Sequence, residues 1–435
     1  MKRLDRSARA PLRNPIVRVG APVGAGAATV ELEIAEMGAR GDAVAAGPEG
    51  PIYLPYALPG ERVRARYASD RGEVLAVLTP SAARQGAPCA HFGRCGGCQL
   101  QHWREAPYLT WKRDQVVRAL ERRGIGADVA AIEAAWGEGR RRATLHAGPG
   151  GAFGFIARGG AAITPVDACP VLAPALQRAL PGLRRLGQAF APARGDLNIQ
   201  ALASETGVDV NVKGAGAPGT LSAEAATRAA AIAEAEDFAR LSFDGEALAH
   251  RRAPALAMGL TRVSPPPGAF LQPTARGEET LARLVLAGLE GAACVADLFS
   301  GLGTFALRIA ARAETHAYDG EEAMLAALRH AADHASGLKP VRATRRDLLR
   351  TPLSALEMKR FDAVVFDPPR SGARLQAEQI ARSRVRKAVA VSCDPATFAR
   401  DARALIDGGF SIVRITPVDQ FRWSPHIEIV GVFER

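Results

Sequence analysis

Three of the six cysteines in this chain fall within ten positions: Cys89, Cys95 and Cys98, in CAHFGRCGGCQLQH. A cysteine met singly in a core behaves as a small hydrophobe. Three at this spacing, with two glycines between the last pair, read as soft ligands folded around a metal centre. A fourth thiolate is needed, and Cys169 in DACPVL is the natural candidate. A second signal is Cys393 in VSCDPATFARD, directly after the apolar run AVAV. Groups just outside the carboxyl ends of parallel strands are where such folds bind ligands, and a deprotonated thiol there is a nucleophile. The alternative is a buried structural cysteine. Asp367 in FDPPR ends another strand at the same edge, on backbone stiffened by Pro368 and Pro369. It is either a held carboxylate or a cap. Glu428 in SPHIEIVGVFE is an acid entering an apolar strand, either a base or a guard on a strand edge.

DLFSGLGTFAL places Asp297, Gly301 and Gly303 at a strand-to-helix turn, with Asp319 at the end of the next strand. The glycines let backbone approach a ligand closely, and an acid in the second position accepts hydrogen bonds from a ribose. The full GxGxxG fingerprint is absent. That favours S-adenosylmethionine, which has no pyrophosphate, over a dinucleotide.

These residues need elements to hold them. Residues 25–80 read as a small all-β unit: VELEIAEM alternates, and IYLPYALPGE, VRARYAS and GEVLAVLTP follow between Gly and Pro breaks. Such a pattern predicts a five-stranded barrel of oligonucleotide-binding type. Segment 103–124 has apolar positions recurring at three and four and predicts a helix stopped by Gly124. Residues 125–262 read as β-rich, with helices near 172–187 and 220–235. From about 263 strands and helices alternate, which predicts an α/β fold with a mostly parallel sheet covered on both faces. Within it GLGTFALRIAARA is expected to be one helix.

At 435 residues the chain has room for two or three domains, and 48% hydrophobic residues is ordinary for a globular protein. A net charge of +11 favours a polyanionic partner. The opening MKRLDRSARAPLRNP is basic without an apolar core segment, so residues 1–24 read as a flexible tail and not a signal peptide. No run approaches the roughly 18 apolar residues of a membrane span. Reduced thiols fit a cytoplasmic protein.

Taken together, these segments resemble the RNA uracil-5-methyltransferases, nearest to the bacterial branch that modifies 23S ribosomal RNA and carries an iron–sulfur cluster. CGGCxxQH is the most specific of the matching motifs, and the likeness covers almost the whole chain. It implies a class I methyltransferase domain over 103–124 and 263–435, a TRAM barrel over 25–80, and a central iron–sulfur domain over 81–102 and 125–262. It implies a [4Fe–4S] cluster on Cys89, Cys95, Cys98 and Cys169. Gln272 in AFLQPT matches the glutamine of the FxQxN cofactor motif, with Thr274 where asparagine is usual. The resemblance assigns Asp297, Phe299, Gly301 and Gly303 to the cofactor, and Ser300 replaces a frequent cysteine in that loop. It places Asp319 on the cofactor ribose, Asp367 at both cofactor and target uracil, Cys393 as nucleophile and Glu428 as general base. SCDP stands where SCNP is commoner. The implied partner is RNA, 23S ribosomal RNA first and tRNA second, bound by a monomer through the barrel and clusters such as Arg140, Arg141 and Arg142.

Overall fold

The structure is a computed structural model that describes residues 28–435; the 1–24 segment and the first residues of the 25–80 barrel segment lie outside them. Two compact units are formed. One runs up to Tyr108 and takes in Ala157–Ala161; the other comprises Leu109–Ile156 and Ala162–Arg435.

In the first unit the strands Ala28–Met37, Ala43–Gly47, Gly50–Leu54, Arg62–Ala68 and Arg71–Thr79 close into a five-stranded barrel. Alternation explains the closure: in Arg62–Ala68, Val63 and Ala65 are fully buried between outward arginines. The buried Glu61 ties the barrel to the segment that follows. Its carboxylate accepts from the Leu58 and Ser81 amides and from the guanidinium of Arg84, at 2.5 and 2.6 Å. The cysteine loop therefore belongs to the barrel's unit, and no separate cluster-binding subdomain stands apart among the described residues.

The second unit contains a seven-stranded sheet and an eight-stranded one. The amphipathic helix Pro174–Phe190 lays Leu176, Leu180, Leu183 and Leu186 on Leu145, Ile199, Val210 and Val212 of the seven-stranded sheet. The eight-stranded sheet runs Val341–Arg345, Glu314–Asp319, Cys294–Leu298, Ala363–Phe366, Lys387–Ser392, Glu428–Glu434, Ser411–Asp419 and Glu133–Ala134. Its first five strands are parallel. Alternate residues bury on opposite faces. Val295, Val365, Val389 and Val430 meet Leu281 and Val285 of the helix Ala275–Gly288. Leu298, Val364, Ala388 and Ile429 meet Val116 and Leu120 of the helix Glu105–Glu121 and Phe398 and Leu405 of the helix Pro395–Asp407. Apolar residues on both faces are what a doubly covered sheet requires.

GLGTFALRIAARA is helical only over Ala306–Ile309. Gly301 and Gly303 take positive φ (51° and 87°), so the first residues form a loop and cannot start the helix. Among the described residues no helix is long and apolar enough to cross a membrane.

Candidate active site

Strand direction gathers the chemical groups on one edge of the eight-stranded sheet. Asp297, Asp319, Asp367 and Cys393 lie at or just beyond the carboxyl ends of parallel strands. Glu428 opens a strand antiparallel to Lys387–Ser392, so its first residue reaches the same edge, with Ile429 opposite Ser392. Ser411–Asp419 runs back again, and Val418 pairs with Glu428.

On the glycine-loop side, Asp319 accepts from the Gly301 amide at 2.9 Å and the Glu321 amide at 2.8 Å. It thus pins two turns and keeps lone pairs for a ligand. Phe299 holds φ 63°, a strained value for a bulky side chain, just before the loop. Gly303 admits no Cβ, because Leu328 lies where it would go. Asp297 is fully buried, and neither of its carboxylate oxygens has a hydrogen-bond partner. Burial pushes its carboxyl well above the usual range, and the charges of Asp367 and Asp319 add to that. An unsatisfied polar atom beneath a glycine loop suits a ligand that brings its own donors, such as an amino group.

On the thiol side, Gln272 links two groups. Its Nε2 donates to Asp367 Oδ2 (3.3 Å), and its Oε1 accepts from Gln420 Nε2 (2.6 Å). Gln420 Nε2 also donates to Glu428 Oε1 (3.2 Å). Enclosure lifts the Asp367 carboxyl to about 7. Burial and then the Asp367 charge lift Glu428 well above its usual value, against the Gln420 hydrogen bond. Burial, followed by Glu428 and Asp367, pushes the Cys393 thiol up to about 12, with Arg370 opposing. Three acids therefore sit within electrostatic reach of one another, each held toward its protonated form.

The four cysteines of the expected cluster divide between the units, three in the first and Cys169 in the second. In the loop, the Gly97 amide donates to Cys95 Sγ at 3.4 Å, and the Cys89 amide donates to Gln101. Within the loop, an amide aimed at sulfur suits a thiolate, the form in which cysteine binds a soft metal. Cys169 has its amide held by Gln177 at 2.9 Å. Among the described residues, one set of three ligand-type atoms lies within 4.8 Å of one another: Cys294, Glu314 and His316. Two of these begin parallel strands, so the set is at the opposite edge from Cys393, and Glu314 there pairs with His316 (2.9 Å) and Arg342 (3.5 Å).

Comparison with known proteins decides the family. The tRNA (uracil-5-)-methyltransferase family pattern matches residues 325–435. An uncharacterized RNA methyltransferase of Brucella suis is 45% identical over 410 residues, 94% of this chain and 98% of its own. The 23S rRNA (uracil(1939)-C(5))-methyltransferase of Chromohalobacter salexigens is 36% identical over 93% of this chain and 89% of its own. The chain belongs to the RNA uracil-5-methyltransferase family. A solved Pyrococcus abyssi tRNA (uracil-54, C5)-methyltransferase with S-adenosyl-L-homocysteine shares the fold, with a TM-score of 0.74 over 93% of this chain and 99% of its own at 22% identity. The protein is an S-adenosylmethionine-dependent RNA methyltransferase.

Where this uracil methyltransferase departs from the family's usual letters, local structure explains two changes. Thr274 caps the helix Ala275–Gly288: its Oγ1 accepts the Gly277 amide at 2.9 Å and donates to Ala135 O. Asp394 caps the helix Pro395–Asp407 by accepting the Ala396 and Thr397 amides, both at 3.0 Å, as asparagine also could. The expected Arg140–Arg142 patch is revised. Arg141 is buried, bonded to Glu278 and to the carbonyl of Gln272 (3.1 Å), while Arg308 shares Glu278 at 2.9 Å. Its guanidinium braces the Gln272 loop and is not presented to RNA. Arg142 stacks at 4.4 Å on the exposed Phe270. Two residues that shape the site are not marked by a motif in the sequence, Gln420 and Lys112, whose buried ammonium pairs with buried Asp419 at 2.6 Å. A lysine inside an apolar helical stripe was the one available signal for the last.

The raised carboxyl of Asp367 has a consequence for stability. Below the unfolded carboxyl value near 4, both states hold the proton and the shift costs nothing. As pH rises the unfolded chain releases its proton first, so stability falls until the folded carboxyl ionises near 7. Asp367→Asn removes that cost. Asp367 is half-buried, so thermal melts should show the variant more stable than wild type at pH 8 by on the order of 1–2 kcal/mol, with no gain at pH 4. An equal gain at both values contradicts this account.

Proposed function

We propose that this enzyme methylates carbon 5 of a specific uridine in 23S ribosomal RNA, through a covalent adduct between Cys393 and uracil carbon 6. The observation that carries this chemistry is the grouping of Cys393, Asp367 and Glu428 at one sheet edge, where Glu428 and Asp367 raise the thiol and Asp367 raises Glu428. Carbon 5 of uracil is a poor nucleophile. A thiolate bonding to carbon 6 moves the ring's electron pair toward carbon 5 as an enolate. Gln272, Asp297, Phe299 and the Gly301–Gly303 loop would hold S-adenosylmethionine, with Asp319 on its ribose and Asp367 alongside, so that carbon 5 could take its methyl group and S-adenosylhomocysteine would leave. Glu428 then takes the carbon 5 proton, and the carbon–sulfur bond breaks to release the thiol. Asp367 orients the uracil ring by accepting from its imide N–H.

The target base must leave its stack, most cheaply from a loop, and the basic surface and barrel hold the flanking RNA. Cys89, Cys95, Cys98 and Cys169 would hold a [4Fe–4S] cluster, with a structural and RNA-orienting role. The enzyme acts as a monomer in the cytoplasm. The same chemistry on a tRNA uridine is the second reading, favoured by the shared fold with the Pyrococcus abyssi tRNA enzyme.

Two measurements test this. Deleting the gene should remove a single 5-methyluridine from 23S ribosomal RNA by mass spectrometry and leave tRNA unchanged; loss confined to tRNA makes the second reading the correct one. The protein purified without oxygen should carry iron and acid-labile sulfide in equal amounts, and Cys89→Ser should lose both. Purified protein without iron removes the cluster from the proposal.

A further inference from the structure

We propose that Gln420 is a positioning residue of this site: its single carboxamide fixes both the Glu428 carboxyl and the Gln272 amide. The inference rests on the reading of Glu428 as the base.

Gln420 is 1% exposed and follows directly on the strand Ser411–Asp419. Both of its neighbours are pinned by one buried ammonium. Lys112 Nζ donates to Asp419 Oδ1 at 2.6 Å and to the Phe421 carbonyl at 3.2 Å, and Asp419 Oδ1 also accepts the Phe421 amide at 2.9 Å. The backbone of Gln420 is thereby set. Its Nε2 has two hydrogens and two acceptors, Gln272 Oε1 and Glu428 Oε1. Its Oε1 is buried with no partner. Turning the amide over would set oxygen against oxygen at Gln272, and at Glu428 whenever that carboxyl is ionised, so the group serves the ionised base only as a donor. The space for that oxygen is made by Gly277 in the first turn of the helix Ala275–Gly288, where a Cβ would collide with Gln420 Oε1 and Cβ.

Two consequences follow from one hydrogen-bond donor. With its oxygen occupied, Gln272 must turn its nitrogen toward Asp367. Glu428 receives its one side-chain donor, which favours the ionised form that a base requires. The groups facing Glu428 are Asp367 beyond Ala363–Phe366, Cys393 beyond Lys387–Ser392 with Arg370 and Asp394 beside the thiol, and the neutral Gln272 before the helix. The Lys112–Asp419 pair flanks Gln420 itself. Without the Gln420 N–H, burial and Asp367 act on Glu428 unopposed by that donor, so more alkaline solution is needed to ionise it.

The test compares wild type, Gln420→Met and Glu428→Gln on the full-length enzyme with target RNA. Methionine keeps the side chain's length and loses the donor. Its kcat at neutral pH should fall about tenfold or more, and the acid limb of its kcat–pH profile should move up by about one unit. Gln420→Glu keeps the amide's shape and puts a further acid beside Glu428, so its limb should move at least as far; it serves if methionine disturbs folding. An acid limb unmoved in both variants, with Glu428→Gln inactive, overturns the role of Gln420 alone. A fully active Glu428→Gln overturns the reading of the base, and this proposal with it.

Discussion

Replacing Cys393 with alanine is expected to abolish methyl incorporation into RNA, by at least about 10⁴-fold, while the protein folds and melts as before. The resting site opposes this dependence. A thiol held near 12 is ionised in only about one molecule in 10⁴–10⁵ at neutral pH. The same electrostatics supply the answer. The carboxyls that disfavour the thiolate are themselves raised, Asp367 to about 7 and Glu428 well above its usual range. Each, when ionised, is a proton acceptor far stronger than an exposed carboxylate. The thiol therefore stays protonated until substrate arrives, and it loses its proton to ionised Asp367 as the carbon–sulfur bond forms, which leaves Glu428 free to take the carbon 5 proton. RNA carrying 5-fluorouridine at the target tests the adduct directly, because carbon 5 then offers no proton to remove. Wild type should form a covalent protein–RNA band that survives denaturation, and Cys393→Ala should form none. Turnover by the alanine variant ends the covalent mechanism.

The parts of this site that were legible in the sequence are those fixed by covalent neighbours. Asp367 between an apolar strand and two prolines, Cys393 after AVAV, and the acid opening IEIVGVFE are local patterns with local consequences. Alternation of β and α segments then puts strand ends on one edge, because a parallel sheet has only one such edge. What escaped depends on contacts across long stretches of chain. Lys112 and Asp419 are 307 residues apart, and Gln272 and Gln420 are 148 apart. Nothing in DQFRWS marks its glutamine as a donor to two other side chains. Arg141 misled for the related reason that three consecutive arginines look alike in sequence. Strand pairing alone decides which of them points inward. The loop at Gly301 shortened a helix that periodicity extended, since 3.6-residue spacing carries no record of positive φ.

Glu428→Gln is expected to stop the reaction one step later than Cys393→Ala. Turnover should fall by roughly 10²–10⁴, the range for loss of a placed general base. Glutamine keeps the side chain's size and an oxygen for Gln420, so the ring should still be bound, attacked by the thiol and methylated. It cannot accept the carbon 5 proton. Elimination then has no electron pair to drive it, and the methylated RNA remains on Cys393. Radiolabelled methyl should therefore appear in a denaturation-resistant protein–RNA band, stoichiometric with enzyme and never exceeding one turnover. The same experiment separates Glu428 from its neighbour. Asp367 is the raised carboxyl that acts on both Glu428 and Cys393. If Asp367 were the base, the labelled adduct would accumulate in Asp367→Asn and not in Glu428→Gln. If Glu428 were only a guard on its strand, glutamine would serve as well and the variant would turn over. Glu428 is only 4% exposed and lies between two paired strands, which argues against a guard: an edge-protecting charge works by meeting water. A buried acid, held near its protonated form and given one donor, has its environment set for proton transfer.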